Sequence, residues 1–262
     1  MTSRKRVLAV LAGQIPDRVP WIEGITGNGI GSAVAGVPVN VDWQVAPDGF
    51  PRQSGAALAE EQKKVNRALG KDNLQFSAFA PIFAHKMTPA DDGSPVLVGD
   101  GMIRTREDFE RVFRLPDPGD AGFVAKAREF LDHSEEYCTC ACVRLGIGAT
   151  LLSMGIEAFS YAMVDDPGLI AAVHDAYADW TGRVVPIMEE LGFDVIWAFD
   201  DVVFNSGPVF SPAFYAEHIL PKERQVVSRF SKPLITHSDG DMTPLLDSWL
   251  ELGQQAIHPI QP

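Results

Sequence analysis

Cysteine is scarce in this 262-residue chain, with only Cys138, Cys140 and Cys142, alternating within one short run. An odd count at such spacing is no disulfide framework, which points to a reducing cytoplasm. Metal sites favour Cys-x-x-Cys turns over alternation, so the run reads as small side chains packed in a core strand. Long apolar runs are also lacking. Nothing approaches the ~18 apolar residues of a membrane span. The apolar stretch 7–12 after the basic start is too short for a secretory signal and has no small-residue cleavage site. Positive charge is in deficit, 22 Lys and Arg against 35 Asp and Glu, a net of −13. That argues against a nucleic-acid backbone as partner and for a soluble, self-repelling surface. Repeats, low-complexity tracts and domain linkers are missing too, so residues 1–262 read as one domain.

What is present is ordinary globular composition, 46% hydrophobic and 22% charged. Helices are expected at 3–12 and at 56–69, the latter closed by Gly70. The next is expected at 120–131, and the longest runs from the Asp166-Pro167 start to Gly192. Two more open at Ser211-Pro212, where Pro221 must kink or restart the helix, and at Thr243-Pro244. Strands are expected at 19–25, 74–82, 138–145, 195–199, 234–236 and 256–260. Residues 27–55 read as a long loop, and 95–105 as a hairpin turning at Gly99-Asp100-Gly101. Alternating strands and helices mean a parallel sheet with helices outside, either doubly wound or a barrel. The last strand has no covering helix, which reads as a β/α array cut short.

Chemistry concentrates at two strand ends. Residues two apart on a strand share a face, so His237 and Asp239 project together beyond the strand at 234–236. Parallel α/β proteins gather their chemistry at that end. The bland alternative is that Asp239 accepts backbone N–H bonds and His237 is a packed side chain. Asp200 and Asp201 follow five apolar residues in the same way. Adjacent buried carboxylates need a cation, a shared proton or a substrate, although neighbours on a chain diverge and one of them can serve as a loop cap. Glu217, beside His218 on the helix opened by Ser211, has the simple alternative of a solvated helix position. Gly146-Ile-Gly148 is a Gly-x-Gly without the rest of a dinucleotide fingerprint. His258, like the other scattered histidines, carries little signal alone.

The order of these pieces resembles the uroporphyrinogen decarboxylase superfamily. The matching segments are Arg6-Val-Leu-Ala-Val-Leu-Ala-Gly-Gln-Ile-Pro-Asp-Arg-Val-Pro20, Asp165-Asp-Pro167, and Gly192-Phe-Asp194 with Asp200-Asp201. They continue through Gly207-Pro208 with Ser211-Pro212, His237-Ser-Asp-Gly240 and His258-Pro-Ile-Gln-Pro262. The resemblance implies a (β/α)8 TIM-barrel-like fold, here incomplete, with about six of the eight units present. An open edge of that kind would suit a homodimer, in which a second chain covers it. Two branches are then in play. The decarboxylases grip substrate carboxylates with arginines after the first strand and carry an Asp after the second. Residues 21–41 hold no arginine, and Ser77-Ala-Phe-Ala-Pro81 holds no carboxylate. Both departures favour the other branch, zinc-dependent methyltransferases that exchange a methyl group with a corrinoid carried by a partner protein.

Thiol-specific members of that branch use His-x-Cys, and here Asp239 stands in place of the cysteine. A related group that demethylates methoxy-aromatic ethers implies a zinc held by two acids and a histidine, and so by Asp201, Glu217 and His237. Asp239 is the alternative to Glu217 as a ligand, and Asp200 would support the ligands from behind or act as an acid or base; Asp200, Asp201, His237 and Asp239 are the catalytic candidates. The expected function is zinc-assisted methyl transfer between a small methylated donor and a corrinoid protein. The competing readings are a decarboxylase-like lyase acting on a carboxylated substrate without metal, and a truncated paralogue without catalysis, to which Gln261 adds, since relatives carry Glu there.

Overall fold

The computed structural model describes residues 1–41, 51–84, 87–89, 95–97 and 101–260. Helix α1 (Ser3–Leu11) opens where the Thr2 hydroxyl accepts the Lys5 N–H at 3.2 Å. The strand expected at 19–25 does not form. Side chains take up its backbone instead, because the buried Asp72 carboxylate accepts the Trp21 N–H at 2.9 Å and the Asn73 amide oxygen accepts that of Glu23 at 3.2 Å. Asp72 also binds Ser3, Arg6 and Arg18, each at 2.7 Å, and so ties the N-terminal segment to the sheet. The expected loop at 27–55 contains α2 (Asn28–Ala35), closed by Gly36 at φ 67°. Part of that loop, 42–50, lies outside the described residues.

Helix α3 (Gly55–Leu69) ends at left-handed Gly70 as expected and leads into β1 (Asn73–Ser77). The short strand β3 (Pro95–Leu97) pairs upstream with β2 (Met87–Pro89), not downstream in the expected hairpin, whose turn lies partly outside the described residues. Next come α4 (Arg106–Val112), α5 (Ala121–Asp132) and β4 (Cys138–Val143). Helices α6 (Ile147–Met154) and α7 (Ile156–Asp165) precede α8 (Pro167–Leu191), whose first turn is capped by the Asp166 carboxylate at the Leu169 N–H, 3.1 Å. Strand β5 (Val195–Phe199) is followed by a small ribbon of β6 (Val203–Phe204) and β7 (Gly207–Pro208). The expected break before Pro221 is a π turn, Tyr215–Ile219, between α9 (Pro212–Phe214) and α10 (Leu220–Val227). The chain continues through β8 (Leu234–His237), a 3-10 turn Thr243–Leu245, α11 (Leu246–Leu250) and β9 (Ala256–His258).

Five parallel strands form one sheet in the order β1-β4-β5-β8-β9. Helices alternate with them, so the fold is β/α and barrel-like. On one face of the sheet Cys138, Cys140, Cys142, Val195, Trp197 and Ile235 pack together with Val7 of α1. All three thiols are buried and free, as core packing requires, and burial pushes the Cys142 thiol pKa up. The other face carries Phe76, Val143, Ile196 and Leu234 into the larger core beneath the helices. Burial on both faces explains why these strands read as nearly continuous apolar runs. No single helix among the described residues is long and apolar enough to cross a membrane.

Candidate functional site

Register brings the two strand ends together. Phe199 of β5 lies opposite His237 of β8, and His237 lies opposite His258 of β9. Asp201 is two residues past Phe199, and Asp239 two past His237, so the period-two geometry of strands turns both toward His237. One ligand atom from each of Asp201, His237 and Asp239 lies within 4.8 Å of the others. His237 Nε2 stands 3.3 Å from Asp201 Oδ1 and 3.9 Å from Asp239 Oδ1. The Asp239 N–H donates to Asp201 Oδ1 at 3.1 Å, which fixes that carboxylate. Desolvation works to raise the Asp201 pKa, but the bonds from His237 and Asp239 outweigh it and hold the carboxyl below its usual range. The group is therefore anionic at neutral pH.

His237 has its other ring nitrogen engaged. Its Nδ1 lies 2.8 Å from Nδ1 of His258, whose Nε2 faces Glu23 Oε1 at 3.5 Å. Burial and the neighbouring His237 lower the pKa of His258, so a neutral imidazole is favoured there. The Phe199 ring packs on His237 at 4.7 Å, and the two imidazoles stack at 5.1 Å. These contacts leave His237 Nε2 directed at the carboxylates. Asp201, His237 and Asp239 could hold a metal ion.

Two of the sequence candidates stand elsewhere. Asp200 commits both oxygens to backbone, accepting the Leu145 N–H at 2.6 Å and the Gly148 N–H at 2.8 Å. It straps the β4–α6 loop to the end of β5. Burial, then the charge of Glu223, raises its pKa to about 7 against the pull of those N–H bonds. With both oxygens so engaged, Asp200 holds that loop in position. Gly148 is part of the same device, since a Cβ there would sit 2.8 Å from Asp200 Oδ1. Glu217 lies on the π turn, where Tyr215 and Ile219 are the buried positions, so its side chain points outward and is 76% exposed. The structure does not bring it to His237. Asp239, its alternative, lies with Asp201 and His237 instead.

Beside the group is a cavity of about 390 Å³ at the carboxyl ends of β1, β4 and β5. Gln75, Phe79, Cys142, Arg144, Phe199 and Asp201 are among its walls. Phe79 and Phe199 meet edge to face at 6.1 Å. A groove of about 430 Å³ by α7 lies apart from these residues, and its Arg106 and Asp166 already pair at 2.7 Å. His258 and Arg144 escaped the sequence reading. The first could have been found from its place at the end of a strand, but Arg144 had no pattern around it.

The profile of the uroporphyrinogen decarboxylase (URO-D) family matches residues 83–259. The chain belongs to that family, one of enzymes. A methyltransferase from Methanosarcina mazei is similar in structure, with a TM-score of 0.68 over 98% of this chain and 75% of that one, at 15% identity. At that identity the likeness establishes the β/α fold. A putative phosphonomutase from Burkholderia cenocepacia J2315 matches 78% of this chain and 56% of its own at 14% identity, but its TM-score of 0.38 carries no argument. A comparison with curated proteins gave no match.

Proposed function

We propose that this chain is a metal-assisted methyltransferase, moving a methyl group between a small methylated donor, such as a methoxy-aromatic compound, and a corrinoid carried by a partner protein. The observation that carries the reading is the convergence of Asp201, His237 and Asp239 at the ends of two adjacent strands. The donor set fits zinc, because one imidazole with its Nε2 directed at two carboxylates leaves a further position open. It is also oxygen-rich, which suits an oxygen-bearing donor better than a thiol. Bound there, zinc would supply Lewis acidity toward the donor atom that releases the methyl group.

The chain's own residues do the rest. His258 orients His237 from behind, the kind of outer contact that raises ligand basicity. The Asp239 N–H keeps one Asp201 oxygen in place. Phe79 and Phe199 give the adjoining cavity dry walls, which strengthens electrostatic contacts inside it. The likeness to the Methanosarcina mazei protein supports the transferase branch, as does the lack of arginine in 21–41 and of a carboxylate in 77–81.

The test is metal content of the purified protein, measured with methyl transfer from a panel of methoxy and methylamine donors to a reduced corrinoid. Stoichiometric zinc that is lost in His237→Ala, together with donor-dependent corrinoid methylation, is the expected result. Equal zinc in wild type and His237→Ala, or carbon dioxide release that persists in chelator, would overturn the reading in favour of a lyase.

A further inference from the structure

Arg144 is the cation that the proposed metal site does not use. It follows β4 directly and lies on the same face as Cys142, facing into the cavity that also holds Asp201. Its guanidinium lies 4.2 Å from the centre of the Phe79 ring. Among the described residues it forms no ion pair, and its guanidinium donates no hydrogen bond. The more deeply buried cations of this chain have partners. Arg6 holds Asp17 and Asp72 at 2.6 and 2.7 Å, Lys63 holds Glu60 and Glu135 at 2.7 and 3.0 Å, and Lys71 donates to the Gly24 carbonyl at 2.6 Å. Arg144 is only partly buried on the cavity wall, and a guanidinium there without a carboxylate partner is open to one brought by a ligand. Asp200 and Asp201 act on it only through their fields, and burial outweighs them, so its pKa lies below the ordinary arginine value. Asp200 offers no relief, because backbone N–H groups occupy both of its oxygens.

We propose that Arg144 is the anchor for a carboxylate on the substrate, which is a small planar carboxylate with an apolar body. The inference rests on reading this cavity as the substrate site. Several features define the ligand. The guanidinium presents a planar fork that matches a carboxylate with two parallel N–H donors. Phe79 and Phe199, which meet edge to face at 6.1 Å, make the remaining wall largely apolar together with Ile25 and Leu151. About 390 Å³ is at the lower end of small-ligand cavities, enough for a single ring with short substituents. A carboxylate held at Arg144 would leave the opposite end of such a molecule facing Asp201 and the His237 group. One anchoring cation in place of several also separates this cavity from one that takes a polycarboxylate.

The experiment measures binding of benzoate and of its neutral counterpart benzamide to the chelator-treated protein, by calorimetry, for wild type, Arg144→Gln and Arg144→Lys. Benzoate is expected to bind the wild type about tenfold or more tightly than benzamide, the scale of one charge-assisted bidentate contact. Arg144→Gln should lose that preference while binding benzamide as before. Arg144→Lys should keep part of it, having the charge without the fork. Absence of benzoate binding to the wild type, equal binding of the two probes, or benzoate affinity in the variants equal to wild type would each overturn the proposal. Metal is absent throughout, so the two readings fail separately. Arg144-dependent benzoate binding with zinc unaffected by His237→Ala would sink the metal site and leave the anchor standing.

Discussion

Stability should fall between about pH 7 and pH 10 because of one buried histidine in α8. His174 is fully buried, and neither ring nitrogen makes a hydrogen bond. Two carboxylates face it at longer range, Asp175 at 3.5 Å from its own helix and Glu223 at 3.8 Å from α10. Burial opposes its charge, but Asp175 and Glu223 outweigh that and raise its pKa from the ordinary 6.5 to about 9. Glu223 is itself held by the Tyr215 hydroxyl at 2.8 Å, through its other oxygen. A histidine with a higher pKa folded than unfolded binds more protons in the folded state. Its contribution is complete below about pH 6.5 and is lost as the pH rises through about 9. Taken whole, the shift corresponds to about 3 kcal/mol. Asp175 is half exposed, so its share is screened by solvent, and about 1–3 kcal/mol should remain. Urea unfolding at pH 7 and pH 10 would measure it, with His174→Gln as the reference. The variant should be weaker at pH 7 and show a smaller fall toward pH 10. A wild-type slope equal to that of His174→Gln would refute the argument, because some other group would then be titrating.

Two further outcomes follow from pairs already described. Removing the Asp72 carboxylate with Asp72→Ala leaves Arg6 buried with Asp17 as its remaining acid partner, and should cost about 3 kcal/mol in urea unfolding. A loss below about 1 kcal/mol would mean that the N-terminal segment does not depend on this tie. His258→Phe keeps a ring against Trp197 and His237 but removes the nitrogen facing His237 Nδ1. Zinc affinity, read by competition with a chelating dye, should weaken by about 10- to 100-fold, whereas an unchanged affinity would show that His237 needs no orienting partner.

These residues also show where sequence reasoning reaches and where it stops. His237 and Asp239 were legible as a pair because a strand repeats every two residues, and that rule holds whatever lies next to the strand. Asp201 was legible for the same reason once β5 was recognised as an apolar run. The opposite roles of Asp200 and Asp201 follow from that alternation too, although the partner of Asp200 depends on how closely Gly148 can approach. Glu217 is exposed because it falls on the outward side of the π turn before Pro221, which the spacing of charges along a helix does not reveal. The missing strand at 19–25 failed differently. Its apolar residues satisfy a strand pattern, but Asp72 and Asn73 offer side-chain partners to its backbone, and local side-chain bonds compete with a ladder. His258 and Arg144 belong to a third kind. Each gains its meaning only across the sheet, from the β8–β9 register and from the cavity between β4 and β5. A chemical group written along one strand can therefore be read before folding, while one assembled between strands becomes visible only when register is known. The candidate site contains both kinds, with the proposed ligands of the first and the proposed orienting and anchoring residues of the second.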